Sequence, residues 1–249
     1  MHRIDWQPPR PEPALIEAFA ELAAAVVSDA MDRQNSMRHT VQPLFPGARA
    51  CGPALTVKAP PGDNLIVHKS LQLARPGDVL VIATGGHQEG APWGELLSLS
   101  AQQRGVAGVV IEGAVRDREA ITRLGLPVFC SAVLPGGTHK ANPGSINVPI
   151  AVAGAAVSPG DLVMGDGDGV VVVPRLEAPS VLERARAILQ KEAELRERIL
   201  AGELLFEVFE LDGLLRRPDV LESGRPDESL EDGAETRGSG KGEANPGEA

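Results

Sequence analysis

Between residues 50 and 133, short apolar runs alternate with segments whose apolar residues recur at helical spacing. The apolar runs lie at residues 50–59, 78–84, 106–111 and 127–133. Continuous apolar runs of this length are typical of strands in the interior of a sheet. Because alternating strands and helices build parallel sheets covered by helices, the middle of the chain predicts an α/β layer with parallel pairing.

The flanking segments predict different elements. Residues 1–13 are rich in proline and predict an extended arm, whereas residues 14–27 have a helical apolar stripe. Short β segments punctuated by turn sequences between residues 147 and 174 predict a β-meander or a small barrel-like sheet. Residues 176–200 predict a long charged helix. Residues 217–249 contain almost nothing apolar, so an acidic disordered tail is expected.

Composition excludes several classes of partner. The formal net charge is −10 and aromatic residues make up 3% of the chain, with no Tyr, which disfavours nucleic-acid binding. No apolar stretch approaches the roughly 20 residues of a membrane span. The N-terminal sequence has proline and acid where a signal peptide requires an apolar run. A soluble, cytoplasmic protein is therefore expected, with Cys51 and Cys130 as buried small hydrophobes.

Residues 94–117 contain the strongest candidates for chemistry. Gly94 and Glu95 open a helix, whose first N–H groups can bind an anion, although Glu95 could simply complement the helix dipole. Arg116 and Asp117 follow a strand end, where active sites of α/β sheets gather. Arginine grips carboxylates, and one aspartate with water can hold Mg²⁺. The alternative assignment, a surface arginine and a helix N-cap aspartate, stays open.

The remaining acidic, histidine and lysine residues support weaker hypotheses. Asp166 and Asp168 lie in a Gly-Asp-Gly-Asp-Gly segment that lacks the later ligands of an EF-hand, so a tight turn entering a strand is expected. The histidines, His68 among them, have no partner at a zinc-binding spacing. The lysines, including Lys140, could in principle form a Schiff base, but none has surroundings that require it.

Six segments in a fixed order resemble the RraA-like family, in particular its class II pyruvate aldolases that act on 4-hydroxy-4-methyl-2-oxoglutarate or 4-carboxy-4-hydroxy-2-oxoadipate. The matching segments are SDAMDR at 28–33, GPALTVKAPPGDNLIVHKSL at 52–71, GDVLVIA at 77–83, WGELLSLSAQQRGVAGVVIEGAVRD at 93–117, PVF at 127–129 and VSPGDLVMGDGDGVVVVP at 157–174. The resemblance covers residues 15–212 and implies a layered α/β/β/α sandwich of the swivelling β/β/α type with a long C-terminal helix. Residues 14–216 would form this single domain.

The resemblance also implies roles for individual residues. The family pattern is an acid, twenty intervening residues and then Arg-Asp, which corresponds here to Glu95, Arg116 and Asp117. Asp117 would anchor a divalent cation, Mg²⁺ or Mn²⁺. Arg116 would bind pyruvate and stabilise its enolate, and Glu95 would position a water.

Further site residues follow from the same resemblance. The backbone amides from Gly94 through Leu96 to Leu97 would hold the pyruvate carboxylate. Family sites lie between subunits of a trimer, sometimes paired into a hexamer, and an acid from the neighbour's C-terminal helix completes each site. By position that acid is Glu192, with Glu194 as the second choice.

The implied activity is retro-aldol cleavage of a 4-hydroxy-2-oxo acid, with decarboxylation of oxaloacetate through the same enolate. The chain departs from the family pattern at two positions: the first acid is Glu95 where the aldolases have Asp, and Glu112 stands where Asp is commoner. The first departure bears on substrate scope more than on fold. The alternative is a non-catalytic regulator, like RraA, that binds an RNA-degrading endonuclease. A methyltransferase is disfavoured because no glycine-rich nucleotide loop is followed by a ribose-binding acid.

Overall fold

A computed structural model describes residues 2–217 and 219–220. Its helices are α1 Pro13–Ala20, α2 Ala24–Ala30, α3 Leu65–Leu73, α4 Glu95–Gln103, α5 Arg118–Leu124, α6 Ala178–Leu200, α7 Leu205–Val208 and α8 Asp212–Leu215. Its strands are β1 Gln42–Pro43, β2 Ala50–Lys58, β3 Val79–Ala83, β4 Gly108–Val115, β5 Val128–Val133, β6 Ser145–Ile146, β7 Ile150–Val152, β8 Ala155–Val157, β9 Leu162–Asp166 and β10 Gly169–Val173. Apart from residues 217, 219 and 220, the predicted tail lies outside the described residues.

The chain divides into two compact units, Met1–Glu194 and Leu195–Ala249. The first unit holds all the strands, α1 to α5 and most of α6. In the second unit, α7 and α8 bury none of their residues. The single domain expected over residues 14–216 stays a prediction. No helix among the described residues has the length and apolar character needed to cross a membrane, and the cytoplasmic location stays a prediction too.

One large sheet organises the first unit, with strand order β1-β5-β4-β3-β2-β9-β10 and β6 also paired with β2. The strands β2, β3, β4 and β5 pair in parallel, which confirms the predicted α/β layer. The separate sheet expected from residues 147–174 is wrong in part, because β9 and β10 extend the main sheet by antiparallel pairing. Strand β2 is long enough for both partners: its first residues pair with β9 and its last five with β3. Strands β7 and β8 pair with each other in a separate two-stranded sheet.

Alternate side chains of the sheet enter different cores. Leu80 and Ile82 of β3 pack with α3, α4 and α5, whereas Val79 and Val81 of the same strand pack toward the β7–β8 hairpin. A third core lies between β9, β10 and the helices α1, α2 and α6. Burial on both faces explains why the strands are continuously apolar rather than alternating. The predicted α/β class and long C-terminal helix are confirmed.

The helix predicted over residues 14–27 is two helices. Helix α1 ends at Ala20, and α2 begins at Ala24, whose N–H donates to Asp166 Oδ2 at 2.8 Å. A carboxylate that is distant in sequence therefore satisfies the start of α2, where helix N–H groups lack intrahelical partners. The local sequence contains no stop signal at residues 21–23, so periodicity alone predicts one continuous helix.

Strand β4 also differs from the prediction. It extends to Val115, beyond the apolar run at residues 106–111, and its pairing with β5 has a register shift between Ile111 and Ala114. An added Cβ at Gly113 would lie 2.7 Å from Thr84 Oγ1, so the close approach of these strands explains the glycine. Bulges re-aim the residues that follow them and are common beside active sites.

The predicted N-terminal arm runs along the first unit as an extended segment. Ile4 forms a parallel bridge with Ile146, and the Asp5 N–H donates to the Ile146 carbonyl at 3.2 Å. Further along, Arg10 forms an ion pair with the buried Asp78. These contacts attach the arm to β6 and to the residue that precedes β3.

Candidate active site

Asp117 joins the end of β4 to the start of α4. It occupies the position before α5 with φ 59° and ψ 40°, a left-handed conformation that is uncommon outside glycine but tolerated by aspartate. Its side chain makes no capping bond to α5. Instead Asp117 Oδ2 accepts the Glu95 N–H at 3.1 Å. Non-glycine residues held in this region cluster at functional sites, because the surrounding structure must maintain them.

Arg116 lies beside this carboxylate. Its N–H donates to the Trp93 carbonyl at 3.0 Å, and its Nε lies 3.4 Å from Asp117 Oδ2. Gly94 makes the arrangement possible, since an added Cβ would lie 2.6 Å from Asp117 Oδ2 and 3.0 Å from Arg116 Cγ. The Gly94 φ of −161° is extended and open to any residue, so space rather than backbone conformation requires glycine there.

The first turn of α4 supplies unpaired donors. The Glu95 N–H is used by Asp117, but the N–H groups of Leu96 and Leu97 have no acceptor in the part of the chain that the structure describes. Two buried hydrogen bonds fix this turn: Trp93 Nε1 donates to Ser98 Oγ at 2.8 Å, and Ser98 Oγ donates to the Gly94 carbonyl at 3.0 Å. The start of α4 is thus a preformed anion site.

These residues line a cleft of about 150 Å³. Four other lining residues are not among the predicted site residues: Asn64, His68, Thr138 and Lys140. The spacing of four between Asn64 and His68, which places both on one face of α3, is the signal that could have connected them. Thr138 and Lys140 belong to a loop, and nothing local in the sequence indicates its position.

These four lining residues are polar, and Lys140 carries a positive charge. Asn64 is 8% exposed; its Nδ2 donates to the Pro92 carbonyl at 3.1 Å, while its Oδ1 has no partner among the described residues. The buried Thr138 Oγ1 is likewise without a partner there. Partial burial and the positive charge of Lys140 lower the pKa of His68, so its imidazole is neutral at pH 7. The Thr138 hydroxyl and the Lys140 ammonium can donate to an anionic group, whereas Asn64 Oδ1 can only accept a hydrogen bond.

A divalent cation fits the cleft through Asp117 alone. Asp117 Oδ2 is engaged by the Glu95 N–H and Arg116, whereas Oδ1 has no partner among the described residues. No group of three or more His, Cys, Asp or Glu side chains comes together within residues 2–217 and 219–220 to hold a metal. A Mg²⁺ ion accepts such a site because it retains most of its waters.

The two glutamates predicted for the site lie apart. Glu95 is exposed at the mouth of the cleft and lines it. Glu192 is half-buried on α6 and is not among the residues that line the cleft of its own chain. Its assignment to a neighbouring copy stays a prediction.

The Asp166 segment is the expected tight turn. It connects the antiparallel strands β9 and β10, and Asp166 Oδ1 accepts the Asp168 N–H at 3.0 Å. Cys51 and Cys130 are free thiols, and burial raises the pKa of each to about 11, so neither is a reactive nucleophile at neutral pH.

A larger cavity of about 770 Å³ lies outside this cleft and is lined by Lys58, Thr84 and several prolines, including Pro143. It contains neither Arg116 nor Asp117. The smaller cleft is the better candidate site because an arginine, a carboxylate, unpaired helix amides and a lysine converge on it.

Comparison with known proteins identifies the family of this chain. The RraA-like family model, described as aldolase/RraA, matches residues 24–172. The chain belongs to the RraA-like family. A relative from Halalkalibacterium halodurans, provisionally named 4-hydroxy-4-methyl-2-oxoglutarate aldolase, is 37% identical over 190 residues, which cover 76% of this chain and 90% of that protein. A Thermus thermophilus protein named 4-hydroxy-4-methyl-2-oxoglutarate aldolase is 36% identical over 118 residues, 47% of this chain and 71% of that protein.

A solved RraA-like structure confirms the fold. The Streptomyces coelicolor protein RraAS2, described as an unusual member of the RNase ES inhibitor RraA family, superposes with a TM-score of 0.69. It is 29% identical, and the match covers 76% of this chain and 98% of that one. The residues matched by the RraA-like model include every residue that lines the cleft but not Glu192.

Proposed function

We propose that this RraA-like protein is a divalent-metal-dependent lyase. Its substrates are 4-hydroxy-2-oxo di- or tricarboxylic acids, which it cleaves by retro-aldol reaction to pyruvate and a second oxo acid, and it also decarboxylates oxaloacetate. One observation carries the proposal: the Asp117 carboxylate and the Arg116 guanidinium meet the unpaired amides of α4 inside one cleft.

The pyruvate half of the substrate binds at α4. Its carboxylate accepts hydrogen bonds from the Leu96 and Leu97 N–H groups, where the helix dipole also favours an anion. Arg116 lies beside the start of α4 and donates to the 2-oxo oxygen. Because negative charge builds up on that oxygen as the enolate forms, the guanidinium stabilises the transition state more than the substrate.

Asp117 holds the cation, Mg²⁺ or Mn²⁺. When bound, the cation supplies Lewis-acid stabilisation of the enolate oxygen. The residues of this chain prepare its place: the Glu95 N–H orients the carboxylate through Oδ2, and Gly94 leaves the space in front of it.

Glu95 handles the proton. It is exposed at the mouth of the cleft, where its carboxylate takes the proton of the 4-hydroxyl group, directly or through a water. The C3–C4 bond then breaks, a carbonyl forms at C4, and the electron pair passes into the pyruvate enolate. Return of the proton to C3 gives pyruvate. Glu192 of a second copy in a homotrimer or hexamer is the candidate to assist this transfer.

Other residues that line the cleft recognise the part of the substrate that leaves. Lys140 supplies a positive charge, and Asn64 and His68 line the cleft with it. A carboxylate on the departing oxo acid would meet these groups, which supports di- and tricarboxylic substrates. Oxaloacetate needs no 4-hydroxyl proton, since loss of CO₂ yields the same enolate.

A direct assay tests the proposal. Purified full-length protein is incubated with Mg²⁺ and either oxaloacetate or 4-hydroxy-4-methyl-2-oxoglutarate, and pyruvate is measured. Release of pyruvate that EDTA abolishes and Mg²⁺ or Mn²⁺ restores is the expected result. Activity that survives EDTA and is trapped by borohydride would contradict the metal mechanism and indicate a Schiff base, for which Lys140 is the lysine in the cleft.

The second candidate function is non-catalytic inhibition of an RNA-degrading endonuclease. The similarity to RraAS2 favours it, because that protein is described as a member of an RNase ES inhibitor family. The convergence of Arg116, Asp117 and the α4 amides favours the enzyme. Absence of turnover on every 2-oxo acid, together with binding and inhibition of a purified ribonuclease of that type, would establish the regulator instead.

A further inference from the structure

The loop of residues 137–142, hereafter the Lys140 loop, lines the same cleft as Asp117. It supplies Thr138 and Lys140 to the cleft, and Gly137 adjoins Arg116, whose Nη1 would lie 3.2 Å from a Cβ added at position 137. No helix or strand spans this loop. Its position therefore depends on hydrogen bonds to other parts of the chain.

Asp63 holds the Lys140 loop. This residue is 1% exposed, and its Oδ2 accepts the Ala141 N–H and the Asn142 N–H, each at 2.8 Å, and Asn142 Nδ2 at 3.2 Å. Burial raises the pKa of the Asp63 carboxyl, but the hydrogen bonds from Leu65, Ala141 and Asn142 outweigh this and lower the pKa below its ordinary value. The carboxylate is thus fully ionised at neutral pH.

The other oxygen of the same carboxylate binds the start of α3. Asp63 Oδ1 accepts the N–H of Leu65, the first residue of this helix, at 2.8 Å. The N-cap residue, Asn64, makes no side-chain capping bond. Backbone bonds between Asn64 N–H and the His139 carbonyl and between His139 N–H and the Gly62 carbonyl, both 2.9 Å, complete the connection.

We propose that Asp63 is a positioning residue that holds Lys140 in the cleft and thereby sets the preference for substrates with a second carboxylate. The inference rests on the proposed aldolase function. Asp63 itself does not line the cleft, so it acts on substrate only through the Lys140 loop and the start of α3.

A carboxylate is required at this position because both of its oxygens accept. Asparagine has one acceptor oxygen and one amide donor. In Asp63→Asn, an oxygen turned toward the Lys140 loop keeps its three donors but loses the charge that strengthens these bonds, and it leaves the amide N–H groups against the Leu65 N–H. The reverse orientation places the amide N–H groups against the loop donors. Either orientation weakens the attachment of the loop to the start of α3. Asn142→Ala removes a single donor to Oδ2 and leaves the backbone bonds intact, so it is the milder variant.

The test compares two substrates: a 4-hydroxy-2-oxo dicarboxylic acid and its monocarboxylic analogue with a methyl group in place of the distal carboxylate. Asp63→Asn should raise KM about 10-fold for the dicarboxylic acid, the size of one lost charge-assisted hydrogen bond, with kcat changed much less. KM for the analogue should stay near that of the wild type. Asn142→Ala should shift KM in the same direction by a smaller factor.

A double-mutant cycle with Lys140→Met separates positioning from general damage. If Asp63 acts through Lys140, the KM effect of Asp63→Asn should disappear in the Lys140→Met background. Asp78→Asn is the matched control: Asp78 is also buried and accepts a backbone N–H, from Arg75 at 2.8 Å, but it precedes β3 and does not line the cleft. It should lower stability without changing the ratio of the two KM values.

Equal effects of Asp63→Asn on both substrates, or additive effects in the cycle, would overturn the inference. Hydrogen exchange gives a readout that needs no turnover: the Ala141 and Asn142 amides should exchange faster in Asp63→Asn than in wild type, and unchanged exchange would refute the role of Asp63 in holding the loop. A wild-type protein that cleaves neither substrate would overturn the proposed function and the substrate preference together, whereas faster exchange in the variant would still uphold the attachment of the loop.

Discussion

Two aspartates in this protein lie at the ends of strands but differ in their hydrogen-bond partners. Asp117 follows β4, and Asp166 ends β9 beside Gly167. The Asp166 carboxylate is used on both oxygens, because Oδ2 accepts the Ala24 N–H and Oδ1 accepts the Asp168 N–H. The Asp117 carboxylate has one N–H partner and an adjacent arginine, both on Oδ2.

The difference shows how to recognise a carboxylate available for chemistry. A carboxylate that accepts a backbone N–H on each oxygen joins two parts of the fold, whereas one with an unpartnered oxygen beside a cleft can bind a cation or a proton. Asp166 therefore serves the packing of α2, and Asp117 serves the candidate site. The following experiments test this division.

The largest difference is expected on removing each carboxylate. Asp117→Ala should lower kcat/KM for pyruvate release by about 10³-fold, since it removes the anchor for a charge that stabilises the enolate. Asp166→Ala should leave the turnover of each folded molecule unchanged. Pyruvate release with Mg²⁺, normalised to the folded fraction, measures both. Wild-type turnover by Asp117→Ala would remove Asp117 from the site.

The glycines beside the two aspartates give the next largest contrast. Gly94→Ala should lower kcat/KM by about 10²-fold, because its Cβ would lie 2.6 Å from Asp117 Oδ2 and displace the carboxylate. Gly167→Ala is the matched control, as no atom lies within 4 Å of an added Cβ there. Circular dichroism should show folded protein for both variants. Equal activity of the two would argue that the exact place of Asp117 is unimportant.

Stability should give the reverse order. Asp166→Ala should reduce the free energy of unfolding by about 1–2 kcal/mol, since it leaves the Ala24 N–H at the start of α2 without its acceptor. Asp117→Ala should cost less, because the side chain is 38% exposed and makes one backbone bond. Urea denaturation of both variants at the same pH measures the difference. A larger loss for Asp117→Ala would reverse the assignment of the two carboxylates.

Proton binding should give the smallest effect. The folded pKa of His68, on the cleft side, lies below the ordinary value of 6.5, so the unfolded chain binds a proton more readily. Stability should therefore fall as the pH drops below about 6.5, and His68→Gln should flatten this dependence. The Asp166 turn contains no histidine. Unfolding followed between neutral and mildly acidic pH checks the slope; an identical slope in His68→Gln would exclude this contribution.

The main elements of the fold could be predicted because hydrophobic periodicity is local. The parallel strands β2 to β5, the helix that starts at Glu95 and the long α6 agree with the pattern. The break between α1 and α2, the bulge at Gly113 and the joining of β9 to β2 could not be predicted. Each depends on a partner distant in sequence: Asp166 for α2, Thr84 for Gly113, and β2 for β9.

The candidate site divides in the same way. The helix start and the strand end meet at the cleft, which is lined by Gly94, Glu95, Arg116 and Asp117. The contribution of Thr138 and Lys140 was not predicted, because they reach the cleft on a loop that Asp63 holds from another part of the chain. A carboxylate in the sequence carries no mark of which N–H groups will reach it.

The amino-acid sequence by itself determined the α/β layering and the placement of an arginine and an acid at a strand end, since both follow from the order of apolar and polar residues along a strand or a helix turn. Only the tertiary structure decided which acid is available. The Glu95 N–H that binds Asp117 is 22 residues away in the sequence, and the Ala24 N–H that binds Asp166 is 142 residues away. Hydrogen bonds over such separations form only after the chain has folded.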